Sequence, residues 1–289
     1  MAADLVADQG MSNAQAALRA ATGPTVFSAF GGGNARFNNS ANVDLDAVNL
    51  LVGVGSRTGS LLLGGFFEAG TGSFDSSNSF SNAASVSASG SSEYYGLGVL
   101  GRYDIGEGSL SGAYVDGALR LGRSSLSYAS NNLCDIGGQC ASYHVTSNYV
   151  GAHIGAGYLL PLTTQTVIDF SSRYFWNHMS GTSLQVVGDP VTFDAITSSR
   201  WRNGLRFDYT LPNGLPPYIG AAYDYEYKGM MRASAYGLGL PSSDLGGGTS
   251  IAEVGMRYSG NNMHVELALQ DYSGQRDGWG GHVAFKYQY

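Results

Sequence analysis

Apolar and polar residues alternate along most of this 289-residue chain with a period of two, the spacing of side chains on the two faces of an extended strand. The last eight residues show it best: Val283, Phe285, Tyr287 and Tyr289 fall on one face, and His282, Ala284, Lys286 and Gln288 on the other. Between Arg200 and Tyr209, Trp201, Leu205, Phe207 and Tyr209 oppose Arg200, Arg202, Arg206 and Asp208. Tyr223, Tyr225 and Tyr227 oppose Asp224, Glu226 and Lys228 in the next segment, and Val265, Leu267 and Leu269 oppose His264 and Glu266 further on. Ordinary sheets alternate too. What distinguishes this chain is recurrence: one face is apolar and aromatic strand after strand, while the other is charged or rich in glycine. A soluble sheet seldom ends on a flat aromatic strand, because a free edge invites aggregation. A closed membrane barrel pairs both edges and turns the apolar face to lipid.

Twelve such segments predict strands at approximately 25–38, 43–56, 60–74, 92–105, 109–129, 142–160, 166–182, 190–210, 217–234, 249–259, 263–273 and 280–289. Connections after even-numbered segments are short: 57–59, 106–108, 161–165, 211–216 and 260–262. Those after odd-numbered segments include the longer Ser/Asn/Gly stretches 75–91, 130–141 and 235–248. Outer-membrane barrels have short periplasmic turns and longer external loops, so this parity places both ends of the sheet in the periplasm. Residues 2–21 are Ala-rich and lack Pro, which predicts a helix of about 20 residues, roughly 30 Å long. That length is close to the thickness of a bilayer's hydrocarbon. Asp4, Asp8, Gln9, Asn13, Gln15 and Arg19 make it too polar for lipid, while its small side chains suit a narrow polar pore. The expected architecture is an all-β membrane protein, a twelve-stranded antiparallel barrel over 23–289, with a linker helix over 1–22 threading the pore.

Composition narrows the choice. Hydrophobic residues make up 43% of the chain, yet the richest runs, such as Leu61 to Phe67, are strand-length and well short of the roughly 18 apolar residues of a membrane helix. The 43 glycines would weaken helices by about 1 kcal/mol each relative to Ala and suit a tightly curved sheet. No fixed repeat supports a solenoid or propeller. The net charge of −7 argues against nucleic acid as a partner. Cys134 and Cys140 lie in a predicted external loop, where an oxidising compartment favours a disulfide. So short a loop would contribute roughly 2 kcal/mol, and only locally. No paired His or Cys accompanies them, so no metal site is expected. Met1 to Leu5 has neither a basic nor an apolar leader region, and the chain is expected to be the C-terminal part of a longer precursor.

A polar helix, about twelve strands and an alternating aromatic terminus together resemble the autotransporter β-domain, the translocator of type V secretion. The glycine-aromatic phrases Leu51–Gly55, Leu63–Gly70, Tyr94–Gly98, Tyr149–Gly157 and Tyr218–Tyr223 are similar to that family in their order along the chain. The resemblance implies a Gram-negative outer-membrane anchor whose upstream passenger reaches the cell surface, with the linker helix left in the pore. It implies as partners the passenger, the barrel-assembly machinery, periplasmic chaperones, and outer-membrane lipid with lipopolysaccharide. It also implies a monomer that uses no nucleotide or other cofactor. Val283, Phe285, Tyr287 and Tyr289 resemble the C-terminal assembly signal of such barrels. Some relatives cut the passenger at an Asn-Asn pair inside the helix. Here the helix offers only Ser12-Asn13, and the pairs 38–39, 131–132 and 261–262 lie in or beside connections, which argues against intrabarrel cleavage.

The charged inner face is the expected working surface. Its candidates are Arg36, Glu68, Arg102, Asp116, Arg120, Asp169, Arg173, Arg200, Arg202, Arg206, Asp208, Asp224, Glu226, Lys228, Glu253, Arg257 and Glu266. Arg200, Arg202 and Arg206 form a stripe placed to meet Asp4 and Asp8, which share one helix face at a spacing of four. Inward glycines such as Gly96 and Gly98 leave room for a helix or for rings from a neighbouring strand. Two other classes compete. A passive porin or substrate channel would use the same lumen without a plug. A barrel phospholipase needs Ser and His held together by a third polar group, but His144 and Ser147 fall on opposite faces. A barrel protease needs clustered acids and His, and near Asp189 and Asp194 only His178 is at hand. No catalytic residue is expected.

Overall fold

The computed structural model describes residues 2–7, 11, 24–38, 42–81, 83–106, 108–211, 216–240, 242–260 and 263–287. A helical turn, α1 (Ala2–Leu5), precedes eighteen strands. The first seven are β1 (Thr25–Asn38), β2 (Asn42–Thr58), β3 (Leu61–Phe80), β4 (Ala83–Asp104), β5 (Ala113–Cys134), β6 (Cys140–Pro161) and β7 (Thr166–Met179). An outer hairpin, β8 (Thr182–Val186) and β9 (Asp189–Phe193), leads to β10 (Ile196–Tyr209) and β11 (Pro217–Lys228). Four short pieces follow, β12 (Met230–Met231), β13 (Ala233–Ala235), β14 (Leu238–Gly239) and β15 (Ser243–Asp244), and then β16 (Gly247–Ser259), β17 (Met263–Gly274) and β18 (Arg276–Tyr287).

β1–β7, β10, β11 and β16–β18 form one closed barrel in which each strand pairs with the next in chain order, and β18 returns antiparallel to β1. Val26 lies opposite Tyr287 at one end of this seam and Phe37 opposite Arg276 at the other. Closure satisfies the backbone groups of both terminal strands, as a chain in hydrocarbon requires. Among the described residues no helix is long and apolar enough to cross a membrane. The outward band is apolar: Leu97, Leu119, Leu121, Ile154, Ile219 and Leu269 are each 61–68% exposed. Water would penalise such a surface, and lipid does not. In β18, Val283, Phe285 and Tyr287 point out while His282, Ala284 and Lys286 are buried inside. Tyr289 and Gln288 lie outside the described residues.

The expected twelve-stranded antiparallel barrel holds, with corrections at the outer rim, whereas the helix expected over 1–22 is not seen beyond the turn α1, and 8–10 and 12–22 lie outside the described residues. The stretch 75–91 was expected as a loop, yet β3 and β4 continue through it, with Ser76 opposite Ala88 and Asn78 opposite Val86. Likewise β5 and β6 run on to Cys134 and Cys140, which are joined by a disulfide. Outside lipid neither face of a sheet need be apolar, so the ladder persists after the alternation fades. Conversely, the expected strand 190–210 includes the separate strand β9, and the expected strand 217–234 stops at Lys228. β9 joins a small outer sheet in the order β14-β13-β9-β8. Tyr143 of β6 ties that sheet to the tall strands, stacking on Tyr128 at 4.7 Å and tilting against Phe193 at 5.3 Å.

Replacing Phe285 and Tyr287 with Ser removes two lipid-facing rings worth about 2 kcal/mol each. The expected outcome is loss of outer-membrane assembly, measured by fractionation and heat-resistant migration on gels. Lys286→Gln, on the inner face, is expected to assemble normally.

Candidate functional site

The lumen is narrow because twelve inward faces crowd into it, and its two sides differ. On the side formed by β7, β10, β11, β16 and β17 the inward positions are charged and pair across strands. Arg257 bridges Asp208 at 2.9 Å and Glu266 at 3.1 Å, while Tyr218 donates its hydroxyl to Glu266 at 2.7 Å. Arg206 reaches Asp208 at 3.3 Å, and both Arg206 and Arg257 lie over the Tyr218 ring. Glu226 accepts from the Ser198 hydroxyl and the Ser199 amide. Further round, Glu68 takes Arg120 at 3.2 Å and the Tyr149 hydroxyl at 2.6 Å. Asp116 takes Arg173 at 3.0 Å. Charges desolvated this far survive only when paired.

The densest cluster holds the N-terminal segment. Asp4 is bridged by Arg200, by Arg202 at 2.8 Å and by Arg276 at 3.3 Å. Asp224 shares two of these partners, accepting from Arg202 at 2.6 Å and from Arg200 at 3.0 Å. Phe175 lies beneath the guanidinium groups of Arg200 and Arg202, at 4.6 and 5.5 Å. The stripe expected from the sequence is therefore realised by Arg200 and Arg202 but not by Arg206. Four residues along a strand separate Arg206 from Arg202 by roughly 13 Å, too far for one carboxylate. Arg276 takes the third place. Asp8 and Arg19 lie outside the described residues, as does most of the expected helix.

The opposite wall is dry. Phe27, Leu51, Leu62, Phe66 and Leu100 turn inward and join Leu5, Val6 and Met11 in a buried cluster that includes Ala29, Ala118 and Ala284. A lumen whose inner face was expected to be charged thus has a small hydrophobic core on one side. The inward glycines give space to rings: a Cβ at Gly98 would run into the Phe66 ring of the cluster, and one at Gly96 into the Tyr149 hydroxyl that bonds Glu68. Those two glycines make room for rings from other strands of the barrel.

The other candidates are scattered. Arg36 is outward, not inward, and bridges Asp44 at 2.6 Å with both side chains more than half exposed. The register of β1 puts its even positions on the outer face. Lys228 is exposed at the rim. Arg102 bonds Asp104 at 2.8 Å and stacks over Tyr114, whose hydroxyl donates to Asp169. His144 is exposed and meets the Ser127 hydroxyl at 3.0 Å. Asp189 accepts from Tyr236 at 2.6 Å, a bond that pushes the Tyr236 phenol above its ordinary pKa. Asn132, of the one Asn-Asn pair wholly within the described residues, bonds the Ser85 carbonyl and the Ser87 amide of β4. Sequence reasoning missed Arg276, which reads as part of a loop because Gly274 and Gly278 flank it. The three tyrosines that anchor lumen acids, Tyr114, Tyr149 and Tyr218, were legible only as aromatic strand residues.

The family model for the autotransporter β-domain matches residues 26–270. Among solved structures, the transport unit of the autotransporter AIDA-I from Escherichia coli is similar at 14% identity, with a TM-score of 0.77 over 97% of this chain and 98% of that one. The translocator domain of NalP from Neisseria meningitidis is 15% identical, with a TM-score of 0.74 over 99% and 96%. The β-domain of the Bordetella autotransporter BrkA is 16% identical, with a TM-score of 0.67 over 92% and 99%. At these identities the likeness concerns the fold. A comparison with curated protein sequences finds no match.

Glu68 is 1% exposed, and Arg120 is its cationic partner among the pairs above. Arg120→Met is expected to cost about 3 kcal/mol, because the remaining charge stays buried. The double change Arg120→Met with Glu68→Leu should recover most of that loss. Urea unfolding of the refolded barrel in lipid vesicles measures both.

Proposed function

This chain belongs to the autotransporter β-domain family, the outer-membrane translocator barrels, and we propose that its N-terminal segment lies along the lumen with the upstream end at the long-strand rim. The carrying observation is the order of contacts. Asp4 meets Arg276, the first residue of β18, and Arg200, near the start of β10. Met11 lines a cavity with Arg102 and Arg206, which lie toward the other ends of their strands. The chain then joins β1 at the end of the barrel where β18 finishes. A passenger upstream of Asp4 would therefore leave through the rim that carries the outer hairpins. That rim is the cell surface if the short turns face the periplasm, as in barrels of this kind.

The passage left beside the segment supports an anchor rather than an open channel. The cavity lined by Met11, Arg102, Arg173, Arg202 and Arg206 holds about 100 Å³, enough for a few waters at ~30 Å³ each. The lumen acids Glu68, Asp116, Asp224 and Glu266 are each paired with arginine, which favours a non-catalytic barrel. The exposed apolar face of β18 is the surface that assembly machinery and periplasmic chaperones would read before insertion. Outer-membrane lipid and lipopolysaccharide would cover it afterwards. The linker unit over 1–22 and the barrel over 23–289 thus act as tether and anchor.

Spin labels at Ala7 and Ala16 should be protected from an aqueous quencher in the assembled protein. Free access to both in a heat-resistant, folded barrel would sink this reading.

A further inference from the structure

The lumen offers the chain inside it two different surfaces. Leu51 and Leu62 are fully buried and Phe27 is 1% exposed, in contact with the cluster that holds Leu5, Val6 and Met11. Facing the segment from other strands, Arg200 and Arg202 share Asp4 and Asp224 as counter-charges, and Arg276 of β18 reaches Asp4 alone. Successive residues of a helical turn point about 100° apart, so Asp4 and Leu5 face different walls. A plug that acted by bulk alone would need neither an inward apolar patch nor three guanidinium groups round one side chain.

We propose that the lumen is a selective peptide-binding site. It reads an acidic residue on the arginine wall and the apolar residues that follow on the dry wall, so that the sequence of the segment sets where a chain passing through comes to rest. Without the acid, Arg200 and Arg202 would be left with Asp224 alone and Arg276 would lose its carboxylate partner, an uncompensated charge that the desolvated wall tolerates poorly. Without the apolar side chains, Phe27, Leu51, Leu62 and Leu100 would face water. A chain stretch lacking either feature fits one wall at the expense of the other and keeps moving. A stretch with both is held. The inference rests on the reading that residues 2–7 and 11 occupy the lumen in the assembled protein.

The test uses the full chain in planar bilayers, with heat-resistant migration as the check on folding. Asp4→Asn and Leu5→Asn preserve bulk and remove one recognition feature each. Each is expected to raise the fraction of time the pore conducts by roughly tenfold or more. Moving the charge one position, with Ala3→Asp and Asp4→Ala together, should open the pore as Asp4→Asn does. Arg276→Gln, which leaves the segment's sequence intact, should do so from the wall side. If all four variants stay as closed as the parent while a label at Ala7 is protected, the segment is a bulk plug and selectivity is refuted, although lumen occupancy stands. If Ala7 is freely accessible in the parent, occupancy itself fails and the inference falls with it.

Discussion

Every backbone amide and carbonyl inside hydrocarbon must find a partner within the protein, and the pairing of β18 with β1 is what completes that requirement here. The rest of the molecule follows from closure. An even number of antiparallel strands brings both chain ends of the barrel to one rim. A closed sheet also has an inside, and period-two alternation sends every second side chain there. With twelve strands the inside is too small for each charge to keep its own water, so charges pair across neighbouring strands and tyrosines donate to the acids. The lumen's ion pairs are thus a result of geometry before they are a device for holding anything.

How much of this was legible in the sequence depends on what each residue touches. Where strands cross lipid, outward positions are mostly apolar, and the pattern around Trp201 or Phe285 fixes both strand and face. Above the lipid that demand ends, and the serine-rich ladders of β3–β6 look like loops although they are paired almost to their tips. Within the lumen, residue type was legible but partnership was not. Arg200, Arg202 and Arg206 share a face, yet rise along the strand separates the third from the first two. Arg276 enters the cluster only because the seam ladder carries it there, opposite Phe37. The dry wall escaped notice for a related reason. Leu51, Leu62 and Leu100 sit among apolar neighbours in glycine-rich strands, where the parity of inward and outward positions is hard to read from sequence.

The two walls of the lumen also divide the stability of the assembly between two kinds of force. The dry cluster is not weakened by ionic screening, since it depends on apolar area removed from water. The arginine cluster is electrostatic, and its burial shields it from the screening that weakens exposed pairs. The exposed Arg36–Asp44 pair on the outer face has no such protection and adds little.

β5 is 22 residues long, about 70 Å of strand, whereas a tilted crossing takes roughly 10 residues. About half of β5 and of its partner β6 therefore stands clear of the hydrocarbon, tipped by the Cys134–Cys140 staple, while β16, at 13 residues, ends near the lipid. The mouth of the barrel is accordingly lopsided, with a tall hydrophilic parapet on one flank and a low sill on the other. A chain leaving as proposed would run beside a tall wall on the first flank and a low one on the second, so unequal strand heights would give its path a side.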